Sequence, residues 1–135
     1  YGEVGAPDFR QAAEQVGRLA RPGDAVVFGV ERPPISPRIA LRLYPQYFVG
    51  LRDVQLDTPF FERTHLWDTV HPLAAVVPQL GPRVVAIERV SGHDIPPDIA
   101  LLTRLGYRVD TVRPVHHDTV YLLVLPPSDP AAPVR

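Results

Sequence analysis

The sequence predicts an α/β domain, and three observations carry that inference. Residues 8–20 read as an amphipathic helix, closed by an Arg21-Pro22-Gly23-Asp24 turn that leads into the apolar strand Ala25-Val26-Val27-Phe28. Helical and strand patterns then alternate along the chain, which is the order of a largely parallel sheet. In the last third two strand-like runs lie only three residues apart, a separation that suits an antiparallel hairpin.

The first helix places Phe9, Ala12, Ala13, Val16, Leu19 and Ala20 on one stripe at i, i+3, i+4 and i+7 spacing. Asp8 with Gln11 three residues later has the form of a capping box. Pro22-Gly23 stops the helix. The first strand, residues 25–29, is apolar on both faces and so belongs inside a sheet covered on both sides.

Glu31-Arg32-Pro33-Pro34 reads as a stiff loop, and Ser36-Pro37 as the cap and first turn of a second helix that ends before Pro45. Residues 53–56 are expected to form a short second strand, with Asp57-Thr58-Pro59 as its exit. Residues 60–67 read as a loop and 68–77 as a third helix, terminated by Pro78 and Gly81.

Arg83-Val84-Val85-Ala86-Ile87 is the third strand, again apolar on both faces. The turn Ser91-Gly92-His93-Asp94 precedes a fourth helix over 97–105, with Gly106 at its C′ position. The hairpin pairs residues 107–115 with 119–125, and Pro114 marks its first strand as the sheet edge. The expected strand order is 2-1-3-5-4, with the fifth strand antiparallel to the rest. Residues 1–125 are expected to form one domain, and 126–135, with four prolines, a loose tail.

Composition narrows the function classes. The chain has 135 residues, enough for one core, and a net charge of −1, so no broad field draws nucleic acid to it. Every basic side chain is Arg, and an Arg-, Ala-, Val- and Pro-rich chain suggests a GC-rich bacterial source. The absence of Cys removes disulfides, thiolate metal sites and a Cys nucleophile. No apolar run approaches the roughly 20 residues that span a bilayer. The chain begins at Tyr1 and holds no Met, so it is expected to come from a longer or processed polypeptide.

Ligands of open α/β sheets sit beyond the carboxyl ends of the strands, where strand order reverses. That edge collects Glu31 and Arg32 after the first strand, Asp57 after the second, and Glu88, Arg89 and His93 after the third. Glu31, Arg32, Glu88 and Arg89 are expected to share one crevice, where guanidinium groups would hold phosphate or carboxylate and carboxylates would hold sugar hydroxyls. The competing reading is a set of solvated loop charges.

Other constellations point away from chemistry. Gly29-Val30-Glu31-Arg32-Pro33-Pro34 is no phosphate loop, because its prolines remove backbone donors. His116-His117-Asp118 reads as a polar hairpin turn, since adjacent strand side chains diverge. His65 and His71 lack metal-site spacing, and none of Ser36, Ser91 and Ser128 lies in a nucleophile elbow. No cofactor or metal is expected. Tyr44, Tyr47, Phe48, Phe60, Phe61 and Trp67 form an aromatic group suited to core packing or to a contact face.

Several segments together resemble one family. They are Asp8-Phe9-Arg10 with its Ala-rich helix, Arg21-Pro22-Gly23-Asp24-Ala25-Val26-Val27-Phe28, Tyr44-Pro45, Gly50-Leu51-Arg52-Asp53-Val54, Arg83-Val84-Val85-Ala86-Ile87 and Leu105-Gly106-Tyr107. In this order and spacing, over most of residues 8–125, the chain resembles the C-terminal domain of bacterial polytopic membrane glycosyltransferases. Those enzymes are similar to the polyprenyl-phosphate-mannose protein mannosyltransferases and are abundant in actinobacteria.

The resemblance implies a non-catalytic, extracytoplasmic domain that follows many transmembrane helices and aids acceptor engagement or covers the active site. Its partners would be the transmembrane part of the same polypeptide and a saccharide or polyprenyl-phosphate-linked substrate, not nucleic acid. The catalytic acids would lie outside these residues, so no catalytic residue carries over.

Taken together, the sequence leads to a three-layer Rossmann-like sandwich with a mostly parallel five-stranded sheet. Two further readings stay open: a small ligand-binding domain or enzyme that uses the crevice, and a structural docking module.

Overall fold

A computed structural model describes residues 6–29, 37–58, 69–70, 72–89, 95–115 and 118–126. Its helices are α1 (Ala6–Leu19), α2 (Ile39–Leu43), α3 (Leu73–Val76) and α4 (Pro97–Arg104). Its strands are β1 (Ala25–Phe28), β2 (Arg52–Asp53), β3 (Leu56–Thr58), β4 (Thr69–Val70), β5 (Arg83–Arg89), β6 (Arg108–Val115) and β7 (Asp118–Val124).

The main sheet has the order β2-β1-β5-β7-β6, which is the expected 2-1-3-5-4. β1 is parallel to both β2 and β5, while β7 runs antiparallel to β5 and β6. A hairpin cannot join parallel neighbours, so the close spacing of β6 and β7 dictates this reversal.

Alternation along the central strands divides the core. Val26, Phe28, Val85, Ile87, Val120 and Leu122 pack with Phe9, Ala12, Ala13 and Val16 of α1, together with Ala40 and Phe48. Ala25, Val27, Val84, Ala86 and Leu123 pack with Leu73, Val76 and Leu80, and with Ile99 and Leu102 of α4. Each fully buried Val, Leu or Ile of this kind contributes roughly 1.5–3 kcal/mol. β6 is mostly exposed, as suits an edge strand carrying Pro114.

α4 ends as its sequence predicts. Gly106 adopts φ 104°, its N–H bonds Thr103 O at 3.1 Å, and the Tyr107 N–H bonds Leu102 O at 3.1 Å. That pair of bonds is the Schellman closure, which favours glycine.

A hydrogen-bonded hub ties the amino ends of the parallel strands. Asp24 accepts from the Arg21 N–H at 2.8 Å and from Arg83 Nε at 3.1 Å, and Arg83 Nη2 donates to Leu19 O at 3.0 Å. Arg52 donates to Gly23 O at 2.8 Å, Gln79 O at 2.6 Å and Leu80 O at 2.9 Å. The Gly23 N–H meets Gly50 O at 2.8 Å, and the Tyr107 hydroxyl donates to Gly81 O.

Four expected boundaries move. α2 begins at Ile39 with Arg38 at its N-cap, so Ser36-Pro37 is not its cap and first residue. The second strand is not continuous over 53–56: β2 ends at Asp53, and β3 instead pairs with β4 in a separate antiparallel ribbon. The reason is Gln55, whose Oε1 accepts the Phe28 N–H at 3.2 Å and so takes the place of the next ladder bond. The third helix begins at Leu73, not Asp68, because Pro72 is extended (φ −64°, ψ 150°) and β-branched Thr69 and Val70 pair with β3. α1 begins at Ala6, so Asp8 stands inside its first turn and not at its cap. Residues 30–36, Ser36 among them, 59–68 and 90–94 lie outside the described residues.

Candidate functional site

The carboxyl ends of β1 and β5 gather the polar side chains that the apolar strands lead up to. β5 runs Val84-Val85-Ala86-Ile87 and then changes to Glu88-Arg89 while still paired with β7. Glu88 stands in register with Thr119 and Arg89 with Asp118.

Glu88 shares the face of Val84 and Ala86, toward α4, and is only 3% exposed. Its carboxyl lies across the end of β1: a Cβ at Gly29 would come within 2.7 Å of Glu88 Oε1. Glycine at 29 therefore leaves the space that Glu88 fills. Asp98, in the first turn of α4, bears on Glu88 as a neighbouring buried carboxyl. Glu88 Oε2 and Asp98 Oδ2 are buried and have no hydrogen-bond partner among the described residues.

Two carboxyl groups this close and this buried cannot both ionise. Burial, then the Asp98 charge and hydrogen bond, then the Asp118 charge push Glu88 up to about 10. Burial raises Asp98 as well, opposed by its bond with Glu88. At neutral pH Glu88 thus keeps its proton. A neutral carboxyl of this kind both donates and accepts, which suits hydroxyl-bearing ligands.

Arg89 turns to the opposite face, that of Val85 and Ile87. Its Nη1 lies 3.8 Å from Oδ1 of Asp118, which is 0% exposed. The shared crevice expected for Glu88 and Arg89 is therefore divided by the sheet, because neighbouring strand residues alternate.

The other sequence candidates are placed only in part. Asp57 lies in β3, in the small ribbon and not in the main sheet. Glu31, Arg32 and His93 lie outside the described residues, as do His65, His71, His116, His117, Ser91, Ser128, Phe60, Phe61 and Trp67. Among the described residues no group of three His, Cys, Asp or Glu side chains could hold a metal ion.

Part of the aromatic group is core. Phe48 is buried with its ring centroid 6.0 Å from that of Phe28, and the Arg38 guanidinium lies 4.7 Å above the Phe28 ring while forking onto Asp53.

Sequence reasoning missed Asp98 and Asp118. In the sequence Asp118 reads as part of a polar turn, yet it is the first residue of β7. Its register opposite Arg89 was the signal, legible only once the hairpin is aligned with β5. No protein-family model, curated protein or solved structure matches this chain.

Proposed function

We propose that this chain is a non-catalytic, extracytoplasmic accessory domain of a polytopic membrane glycosyltransferase. Its body would be a three-layer Rossmann-like sandwich, and its task acceptor engagement or covering of the active site. The parent would transfer a sugar from a polyprenyl-phosphate donor, with its catalytic acids elsewhere in the polypeptide.

One observation carries the reading. The segments that bear the resemblance meet in a single scaffold: Arg52 and Gly50 reach Gly23, Asp24 holds Arg83, and Tyr107 reaches Gly81. Those segments therefore describe a common frame, and the opposite edge, with Glu88 and Arg89, is left for contacts. Glu88 would meet sugar hydroxyls on one face of that edge and Arg89 an anionic group on the other, with Glu31, Arg32, Asp57 and His93 proposed as further contacts from other segments.

The test is sugar transfer by membranes that express the full reading frame, with and without residues 6–126. An accessory domain predicts residual transfer with weakened use of the acceptor. A full frame that transfers no sugar from a polyprenyl-phosphate donor contradicts the reading.

A second reading, a ligand-binding domain or enzyme at the same edge, is favoured by the proton that Glu88 retains to about 10. Strongly shifted buried carboxyls concentrate at functional sites. A ligand that protects Glu88 in the isolated domain would favour this second reading.

A further inference from the structure

A separate cleft of about 460 Å³ opens at the amino edge of the parallel strands, between the end of α1 and the segment 46–51. Its volume lies within the range of small-ligand sites. Arg18, Arg21, Glu14, Gln46, Tyr47 and Val49 contribute to its lining.

Two features mark it. The first is uncommitted charge. Arg38, Arg52 and Arg83 hold Asp53, three backbone carbonyls, and Asp24 with Leu19 O. Arg18 and Arg21 are exposed, and among the described residues their guanidinium groups have no hydrogen-bond or ion-pair partner. Glu14 is the one anion against these two cations in the lining.

The second is a fixed wall. Tyr47 packs so closely on α1 that a Cβ at Gly17 would lie 2.9 Å from its Cδ1. Glycine inside a helix is unfavourable relative to alanine, and here it gives room to the ring. The two sides are joined by the Gly23–Gly50 backbone bond at 2.8 Å, so the cleft is held open before any ligand arrives.

A helix carboxyl end repels anions. Arg18, in the last turn of α1, offsets this, and Arg21 lies past the helix end. The surplus cations suit a phosphate group, the Tyr47 ring suits a sugar or polyol face, and Gln46 and Glu14 suit hydroxyls.

We propose that this cleft binds a hydroxyl-bearing phosphate ester, with Arg18 and Arg21 on the phosphate and Tyr47 against the carbon skeleton. Such an ester can be free in solution or be a phospholipid headgroup. Val49, 79% exposed at the lip, is placed to touch the acyl region in the second case. The inference goes beyond the glycosyltransferase reading and stands independently of it, because the cleft lies at the opposite edge of the sheet from Glu88.

The experiment uses the 135-residue chain, titrated with glucose 1-phosphate and with glucose by amide NMR, and sedimented with phosphatidylcholine vesicles with and without phosphatidylglycerol. The expected result is binding of the phosphate ester or of the phosphatidylglycerol vesicles, without binding of glucose. That binding should be at least tenfold weaker in Arg18→Ala/Arg21→Ala. Response to the free ester identifies a soluble ligand, and response to vesicles alone identifies a headgroup. Both side chains are exposed, and Arg18→Gln/Arg21→Gln supplies a second variant whose circular dichroism checks folding. The proposal is overturned if the wild type binds neither probe, or if a folded double variant binds as the wild type does.

Discussion

Replacing Glu88 by glutamine keeps the shape and polarity of the side chain but removes its titration. In the unfolded chain Glu88 ionises near its ordinary 4.5, whereas in the folded protein it holds its proton to about 10. Between those values the folded form binds more protons than the unfolded form. Stability is therefore greatest below the unfolded value and is lost as pH rises, by up to about 1.4 kcal/mol per pH unit.

From pH 5 to pH 8 the single-site limit is about 4 kcal/mol. Sharing of the proton with Asp98 brings the expected loss to roughly 2–4 kcal/mol. For a domain of this size that is on the order of 10 °C in Tm. The assay is urea and thermal unfolding of wild type and Glu88→Gln at pH 5, 6, 7 and 8. The histidines and other carboxyls titrate in both proteins, so the difference between the two curves isolates Glu88. The variant should match the wild type near pH 5 and exceed its stability by about 2–4 kcal/mol at pH 8. Parallel curves would refute the account of a buried carboxyl held neutral by its surroundings.

Other expectations follow from the packing. Arg52→Ala breaks bonds to Gly23, Gln79 and Leu80 and should cost about 1–3 kcal/mol in urea unfolding, with Arg52→Lys restoring little because a single ammonium cannot span three carbonyls. Asp53→Ala leaves the Arg38 guanidinium without its fork in a buried setting and should cost about 3–5 kcal/mol by the same measurement. Gly106→Ala forces a side chain onto φ 104° at the end of α4 and should lower stability by about 1–2 kcal/mol. Gly29→Ala drives a methyl toward Glu88 Oε1; thermal unfolding should show a loss that is smaller in Gly29→Ala/Glu88→Ala than the two single losses added together.

The sheet was legible because its signals are local and agree with one another. Apolar runs flanked by Gly and Pro mark β1 and β5, and the short gap between the last two strands forces β6 and β7 into a hairpin. Gly106 closes α4 for a reason visible in one residue. The boundaries that moved depend on partners distant in the chain. Gln55 ends β2 by serving Phe28, 27 residues earlier, and Thr69 and Val70 leave the helical pattern only because β3 is there to pair with them.

The candidate site was legible by address and not by content. The carboxyl end of β5 carries Glu88 and Arg89, as its sequence reads. The neighbour of Glu88, Asp98, comes from a different element, and the partner of Arg89, Asp118, is set by hairpin register. Both belong to pairings that a linear pattern does not encode. Arg18 reads in sequence as an ordinary polar position on an amphipathic helix, and its place in a cleft depends on Tyr47 folding back onto Gly17.

The claim that this is an accessory domain of a membrane glycosyltransferase is tested most directly by reading the same frame upstream of Tyr1 and scoring its hydropathy. The account predicts eight or more apolar spans of about 20 residues, with an acidic pair in the first outer loop. A start codon adjoining Tyr1, with no such spans before it, would contradict it.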